Sequence, residues 1–197
     1  MSDFSVDKKP IEAAAQALLE NDHAVGLGFE EVLAERFGGS ETGNPPISLT
    51  LQGPTVRSAL DALCKADSRY AWSFDGTTVN LFPRDTANQS NYLMNRRLTL
   101  RLEKVDDIQQ GLLAIVHTLP GPAEQVAIMQ VGGDSTYPPA PWTVNYENIT
   151  VRQAINRLVE HMGTSSWWFF GGAKDFRRFT FFRRDATVER QPRALKF

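Results

Sequence analysis

The 197-residue sequence predicts an α+β protein of two tandem βαββαββ domains, each with small sheets packed with two helices. Three observations carry this. First, residues 47–85 (ISLTLQGPTVRSALDALCKADSRYAWSFDGTTVNLFPRD) are answered about a hundred residues later by 142–185 (WTVNYENITVRQAINRLVEHMGTSSWWFFGGAKDFRRFTFFRRD). Second, apolar residues alternate in short runs bounded by Gly, Pro and Asp, the mark of strands buried on one face. Third, stretches with apolar residues three and four apart lie between those runs and read as amphipathic helices.

Taken in order, Phe4-Ser5-Val6 alternates, and Pro10 suits the first turn of a helix from Ile11 to about Asn21 that presents Ile11, Ala14, Ala15, Leu18 and Leu19 on one face. Residues 23–32 read as a strand loosened by Gly26 and Gly28, and 36–46 as a Gly/Pro loop. Ile47, Leu49 and Leu51 form the next strand, Gly53-Pro54 turns the chain, and Thr55 caps a helix over 56–66. Tyr70, Trp72 and Phe74 alternate into Asp75-Gly76, a hairpin turn, and Val79 and Leu81 return from it until Pro83.

The second copy repeats the order. Leu98, Leu100 and Leu102 form a strand, a helix runs from Val105 to about Leu119, Val126–Met129 is a strand, and 132–141 is the second Gly/Pro loop. Phe4 and Val6 thus correspond to Leu98 and Leu100, and Ile11, Ala14 and Leu18 to Val105, Ile108 and Leu112. Thr55, Val56, Arg57, Ala59 and Leu63 recur identically as Thr150, Val151, Arg152, Ala154 and Leu158, and Trp72 and Phe74 as Trp167 and Phe169. The organisation read from this is a first domain over 1–86, a polar linker over 87–96 that Leu93 and Met94 anchor, a second domain over 97–186, and a basic tail over 187–197.

The pattern resembles the secretin and TonB short N-terminal (STN) domain, a small module of outer-membrane secretins and siderophore receptors. The matching residues are Phe4, Val6, Pro10, Ala14 and Leu18, then Ile47, Leu49, Leu51, Gly53, Thr55, Val56, Ala59, Leu60, Leu63, Tyr70 and Trp72, closing with Val79 and Leu81. Copy two departs at Asn148, which replaces Gly53, and begins its first helix without a proline. The resemblance implies two helices packed with small sheets, a periplasmic or cell-envelope location, and a role in protein contact without chemistry. No secretin pore region or receptor barrel follows copy two, which favours a free-standing protein or an excised piece.

Composition narrows the classes. With 42% hydrophobic and 22% charged residues the chain buries a core, and its net charge of −2 exerts no overall pull toward nucleic acid or anionic membrane. Residues 171–197 nevertheless carry +5, leaving −7 elsewhere. The lone cysteine, Cys64, excludes an internal disulfide and a cysteine-cluster metal site, and its place beside Val56, Leu60 and Leu63 reads as packing. No run is apolar enough for a transmembrane helix, and the opening MSDFSVDKK has no signal-peptide core, so the protein is cytoplasmic or a signal has been removed.

Catalytic and cofactor patterns are weak. His23, His117 and His161 each fall at a helix end, where a cation complements the dipole, and none has a His or Cys neighbour at metal-ligand spacing. Gly26-x-Gly28 lacks a third glycine and runs into Glu30 and Glu31, which repel phosphate. The expectation is therefore no catalytic residue, no cofactor and no metal.

The two hairpins differ in an informative way. Outward Ala71, Ser73 and Asp75 of copy one are replaced in copy two by Ser166, Trp168 and Phe170, and outward Phe182 matches Phe82. So much aromatic surface calls for a cover. The rest of the chain, a homodimer or protein partner, or stacked bases or sugars flanked by Arg177, Arg178, Arg183 and Arg184 would each supply one. Trp168, Phe170, Phe182, Arg177, Arg178 and Arg184 are accordingly the candidate partner-binding residues, with protein the first expectation and nucleic acid the alternative.

Overall fold

A computed structural model describes residues 3–19, 25–32, 44–118, 125–131, 141–161, 164–171 and 176–183; of 125–131, 164–165, 170–171, 176–177 and 182–183 it describes the backbone alone. Copy one contains β1 (Phe4–Lys9), α1 (Ile11–Leu19), β2 (Gly26–Glu30), β3 (Ile47–Leu51), α2 (Val56–Ala66), β4 (Tyr70–Phe74) and β5 (Thr78–Pro83). Copy two contains β6 (Arg97–Val105), α3 (Ile108–His117), β7 (Gln125–Val131), β8 (Trp142–Thr150), α4 (Val151–His161), β9 (Thr164–Gly171) and β10 (Phe176–Arg183). The fold is α+β; residues 20–24 with His23, most of the two expected Gly/Pro loops (33–43 and 132–140) and the basic tail at 187–197 fall outside the described residues.

Local chemistry explains the helix starts. Thr55 accepts from the Ser58 backbone N–H while the Ser58 side chain accepts from the Thr55 N–H, a reciprocal cap. Copy two repeats the device, with Gln153 N–H donating to Thr150 Oγ1 at 3.2 Å and Thr150 N–H to Gln153 Oε1 at 3.0 Å. The turn before each cap needs a left-handed residue: Gly53 has φ +53° and Asn148 has φ +48°, so asparagine, which tolerates that region, fills the glycine's role. The helix expected from Val105 begins instead at Ile108. Val105 is fully buried and ends β6 opposite Trp142, and Asp107 caps α3 by accepting from Gln110 N–H at 2.7 Å. Ile11 is therefore matched by Ile108 and Leu18 by Ile115, three residues further than the sequence alignment places them.

β1 pairs antiparallel with β3, and β6 with β8, as two ribbons that pack on the helices. The remaining strands do not form one small sheet per copy. They form a single six-stranded sheet in the order β4-β5-β2-β9-β10-β7, in which β2 of copy one pairs in parallel with β9 of copy two. Paired residues on neighbouring strands share a face. Leu27 and Phe29, which belong to the copy-one core, pair with Ser166 and Trp168, whereas Gly28 and Glu30 pair with Trp167 and Phe169 of the copy-two core. The two helix pairs therefore lie on opposite faces of the shared sheet.

Strand direction adds the rest of the relation. β4 is antiparallel to β5, while β5, β2 and β9 run together, so β4 and its counterpart β9 run in opposite directions. A half turn about an axis lying in the sheet across its strands, with a step of three strands, carries copy one onto copy two.

This arrangement explains why β5 departs from the expected alternation. All of its residues are buried, Thr78, Asn80 and Phe82 included, and Asn156 and Arg152 of copy-two α4 lie on Asn80 and Phe82, on the face that a solitary copy one would leave wet. Residues 87–96, expected as a linker, contain a 3₁₀ turn over Leu93–Asn95 whose Leu93 and Met94 are buried in the copy-two core.

Candidate functional site

The residues that organise the molecule lie where β2 meets β9 under α4. Glu30 is fully buried and accepts from Arg152 Nε and, at 3.0 Å, from Arg152 Nη2, a bidentate pair across 122 residues of sequence. Arg152 Nη1 donates to Asn95 Oδ1 at 2.9 Å, and its guanidinium lies 4.6 Å from the centre of the Phe82 ring. Burial pushes the Glu30 carboxyl above its ordinary value, and Arg152 and the Tyr92 hydroxyl pull it back without cancelling that effect. Tyr92 is pushed up in turn by its own burial and by Glu30.

Beside the ion pair, Trp167 Nε1 donates to Asn156 Oδ1 at 2.7 Å, and Asn156 Nδ2 donates to Asn80 Oδ1 at 3.0 Å and to Asp75. Gly28 makes the close approach possible, since a Cβ there would lie 2.6 Å from the Trp167 ring and 2.7 Å from Asn80 Oδ1. Backbone pairing completes the junction, with Glu31 N–H donating to Phe169 O at 2.9 Å.

The same apparatus exists on copy one without its cover. Trp72 Nε1 donates to Asp61 Oδ1 at 2.8 Å, as Trp167 does to Asn156, and Arg57, the counterpart of Arg152, sits 5.5 Å from the Trp72 ring. Here Arg57 and Asp61 are exposed and Trp72 is half-buried. A groove of about 450 Å³ between α2 and the outer edge of β4 is lined by Asp61, Cys64, Lys65, Ser68, Ala71, Trp72 and Arg84.

The backbone hydrogen bonds of β4 alternate in direction. Asp75 N–H donates to Thr78 O and Arg84 N–H to Arg69 O, so the odd-numbered residues of β4 face β5 and the amides of Trp72 and Phe74 face outward. Arg84 closes the start of the edge by donating to Ser68 O and Tyr70 O. Among the described residues no strand pairs with the outer side of β4 or of β7.

The residues singled out from the sequence are distributed differently. Trp168 is half-buried and packs against the copy-one core, edge-on to Phe29 at 5.7 Å, so copy one supplies the cover at this position. Arg178 is half-buried opposite Phe170 in the β9–β10 ladder. The side chains of Phe170, Phe182 and Arg177 lie outside the described residues, as does Arg184 altogether; Phe182 holds the ladder position of Phe82, opposite Ser166.

From the sequence, Gly28 and Glu30 are weighed only as a strand loosened by glycine and a rejected phosphate loop, and Asn156 and Asn80 are passed over. The identity of Arg57 and Arg152 and of Trp72 and Trp167 was visible, but nothing local announces that one pair is covered. Cys64 is buried as expected, and burial pushes its thiol up to about 11. His161 lies against the Trp142 ring at 4.4 Å and His117 ends α3. No group of three metal-ligating side chains occurs among the described residues, and no helix among them is long and apolar enough to cross a membrane. No family model, curated protein or solved structure matches the chain.

Proposed function

We propose that the chain is a non-enzymatic protein-interaction module, two tandem STN-like units of a bacterial envelope protein, whose contact element is the outer edge of β4 with the exposed side of α2. One observation carries this reading: within the chain, an edge of the same construction is already filled by a strand. β9, with Arg152 and Trp167 beside it, takes β2 in parallel and is sealed by the Glu30 ion pair. β4, with Arg57 and Trp72 in the corresponding places, turns the Trp72 amide outward in the same way. Strand addition of this kind draws affinity from main-chain hydrogen bonds and selectivity from the side chains alongside. The envelope setting comes from the resemblance of the packing pattern to STN domains.

The reading is tested by placing a photo-crosslinking residue at exposed Ser73 on β4, and at exposed Glu103 on β6 as a control, in the full chain made in its native cells. Protein adducts at position 73 that exceed those at 103 are expected, with loss of the adducts when Arg57 is changed to Glu. Equal labelling at the two positions, or none at 73, would sink it.

A further inference from the structure

The groove of about 450 Å³ beside α2 has a charge pattern that strand pairing does not use. We propose that it is a binding site for a small organic monoanion, a carboxylate carried on a flat ring, whose charge is met by Lys65 and Arg84. This goes beyond the reading of β4 as a contact element and needs no strand partner.

The cations are placed but not neutralised. Arg84 Nε donates to Ser68 O at 2.8 Å and Arg84 Nη2 to Tyr70 O at 2.7 Å, so two backbone carbonyls fix the guanidinium without cancelling its charge. A guanidinium has five N–H groups in a rigid fork, and those two bonds leave donors for a ligand. Lys65 is exposed on α2, one turn beyond Asp61. Among the described residues no carboxylate forms an ion pair with either cation: Asp67 is taken by Arg69, and Asp61 Oδ1 accepts from the Trp72 indole.

The lining therefore sums to one positive charge, Lys65 and Arg84 against Asp61. Cys64 adds none, since burial pushes its thiol up to about 11. A carboxylate matches that sum, whereas a phosphate monoester carries about −1.5 to −2 at neutral pH and exceeds it. The rest of the wall is the Trp72 ring, the Ala71 methyl group and the Cys64 sulfur, with the Ser68 hydroxyl at its polar end. An aromatic and apolar wall with a few placed polar groups is the usual make-up of a small-molecule site, and the volume suits one ligand of modest size. The ring is also held in advance. Asp61 takes its N–H at 2.8 Å, and Arg57, outside the lining, lies 5.5 Å from its centre and adds to the attraction for an anion.

Copy two supplies the contrast. It carries Glu160 at the position of Lys65 and Val159 at that of Cys64, and its Trp167 is fully buried with the ring against Gly28 of β2. The same pair of elements thus packs against protein in copy two and leaves a ligand-sized, positively charged space in copy one.

The test uses the full chain labelled with a nitrogen isotope and titrated with sodium indole-3-acetate. The Trp72 indole N–H resonance, identified by its loss in Trp72→Phe, should move and saturate with a Kd of about 1 mM or tighter, while the other indole resonances stay still. Indole-3-ethanol keeps the ring without the charge and sodium acetate the charge without the ring; each should bind at least about tenfold more weakly, as should phenyl phosphate. Lys65→Glu places the copy-two residue at an exposed position and should abolish the saturable shift, whereas Lys9→Glu, exposed on β1, should leave it unchanged, both variants being folded by circular dichroism. No saturable shift at Trp72 overturns the proposal. So does a shift that survives Lys65→Glu, or indole-3-ethanol binding as tightly as the acid. Phenyl phosphate binding as tightly as indole-3-acetate overturns the assignment to a carboxylate.

Discussion

Replacing Arg152 with Met should be the most costly change at the junction, and its pH dependence should identify the cause. Glu30 is fully buried and the Arg152 side chain is 13% exposed, so the substitution leaves a carboxylate in the interior with only the Tyr92 hydroxyl to answer it. Breaking a buried pair from one side costs about 3–5 kcal/mol. For a chain of this size that is a fall in Tm of roughly 6–20 °C. Some of the loss belongs to the Phe82 ring, which Arg152 also covers.

Urea unfolding followed by circular dichroism would measure Arg152→Met, Glu30→Gln and the double variant. The double variant should cost clearly less than the sum of the singles, because it strands no charge. The sign with pH follows from the direction of the Glu30 shift. Its carboxyl is raised above 4.5 in the fold, so the folded state holds the proton more tightly than the unfolded state. The protonated form is favoured in acid, and that contribution is lost as pH rises through the folded value. Removing Arg152 raises the folded value further, so the gap between variant and parent should widen from acid toward neutral pH. A gap that is flat with pH, or a double variant that costs the full sum, would refute the reasoning.

The duplicated indole bond supplies a comparison within one molecule. Asn156→Ala strands Trp167 Nε1 in a fully buried site and should cost about 1–3 kcal/mol, whereas Asp61→Ala leaves half-buried Trp72 to water and should cost within about 0.5 kcal/mol. Equal costs in thermal unfolding would mean that copy one does not cover the Trp167–Asn156 bond as described. Gly28→Ala places a methyl group 2.6 Å from the Trp167 ring and should destabilise by about 1–3 kcal/mol, where Gly53→Ala, with open space around it, should lose only the cost of its positive φ. Cys64, buried and with its thiol pushed up to about 11, should be alkylated at pH 8 only as fast as the chain opens, and quickly in urea.

Most of each copy was legible because its signals are local. The alternation of Ile47, Leu49 and Leu51, the Thr55 cap and the Asp75-Gly76 turn depend on neighbours in sequence, and all appear where those neighbours put them. The start of α3 was misplaced because Val105 suits a buried helix face and a buried strand end equally well; Asp107, a cap residue, was the signal that separates the two. The junction was hidden for a different reason. Glu30 reads as one of two adjacent acids and Arg152 as a repeat of exposed Arg57, and their pairing depends on the sheet order, which no local pattern encodes. Trp168 carried half of the information: an outward aromatic does need a cover, and the sequence could not say that Phe29 of the other copy provides it.

Sharing one sheet also settles a competition between strands. Two separate three-stranded sheets would have four edges, each a template for unwanted pairing; among the described strands, joining β2 to β9 removes two of them. For β9 to keep the right partner, β2 must outcompete the other strand that ends the described sheet in the corresponding place, which is β7. Gly28 and Glu30 supply that preference. β2 gives the Trp167 ring its glycine and the Arg152 guanidinium its carboxylate. Covalent connection adds a high effective concentration of β2. Neither advantage operates at β4, where Arg57 is exposed and Trp72 half-buried. Discrimination at the inner edge thus follows from burial of Trp167 and Arg152, the residue types that copy one keeps half-buried and exposed as Trp72 and Arg57.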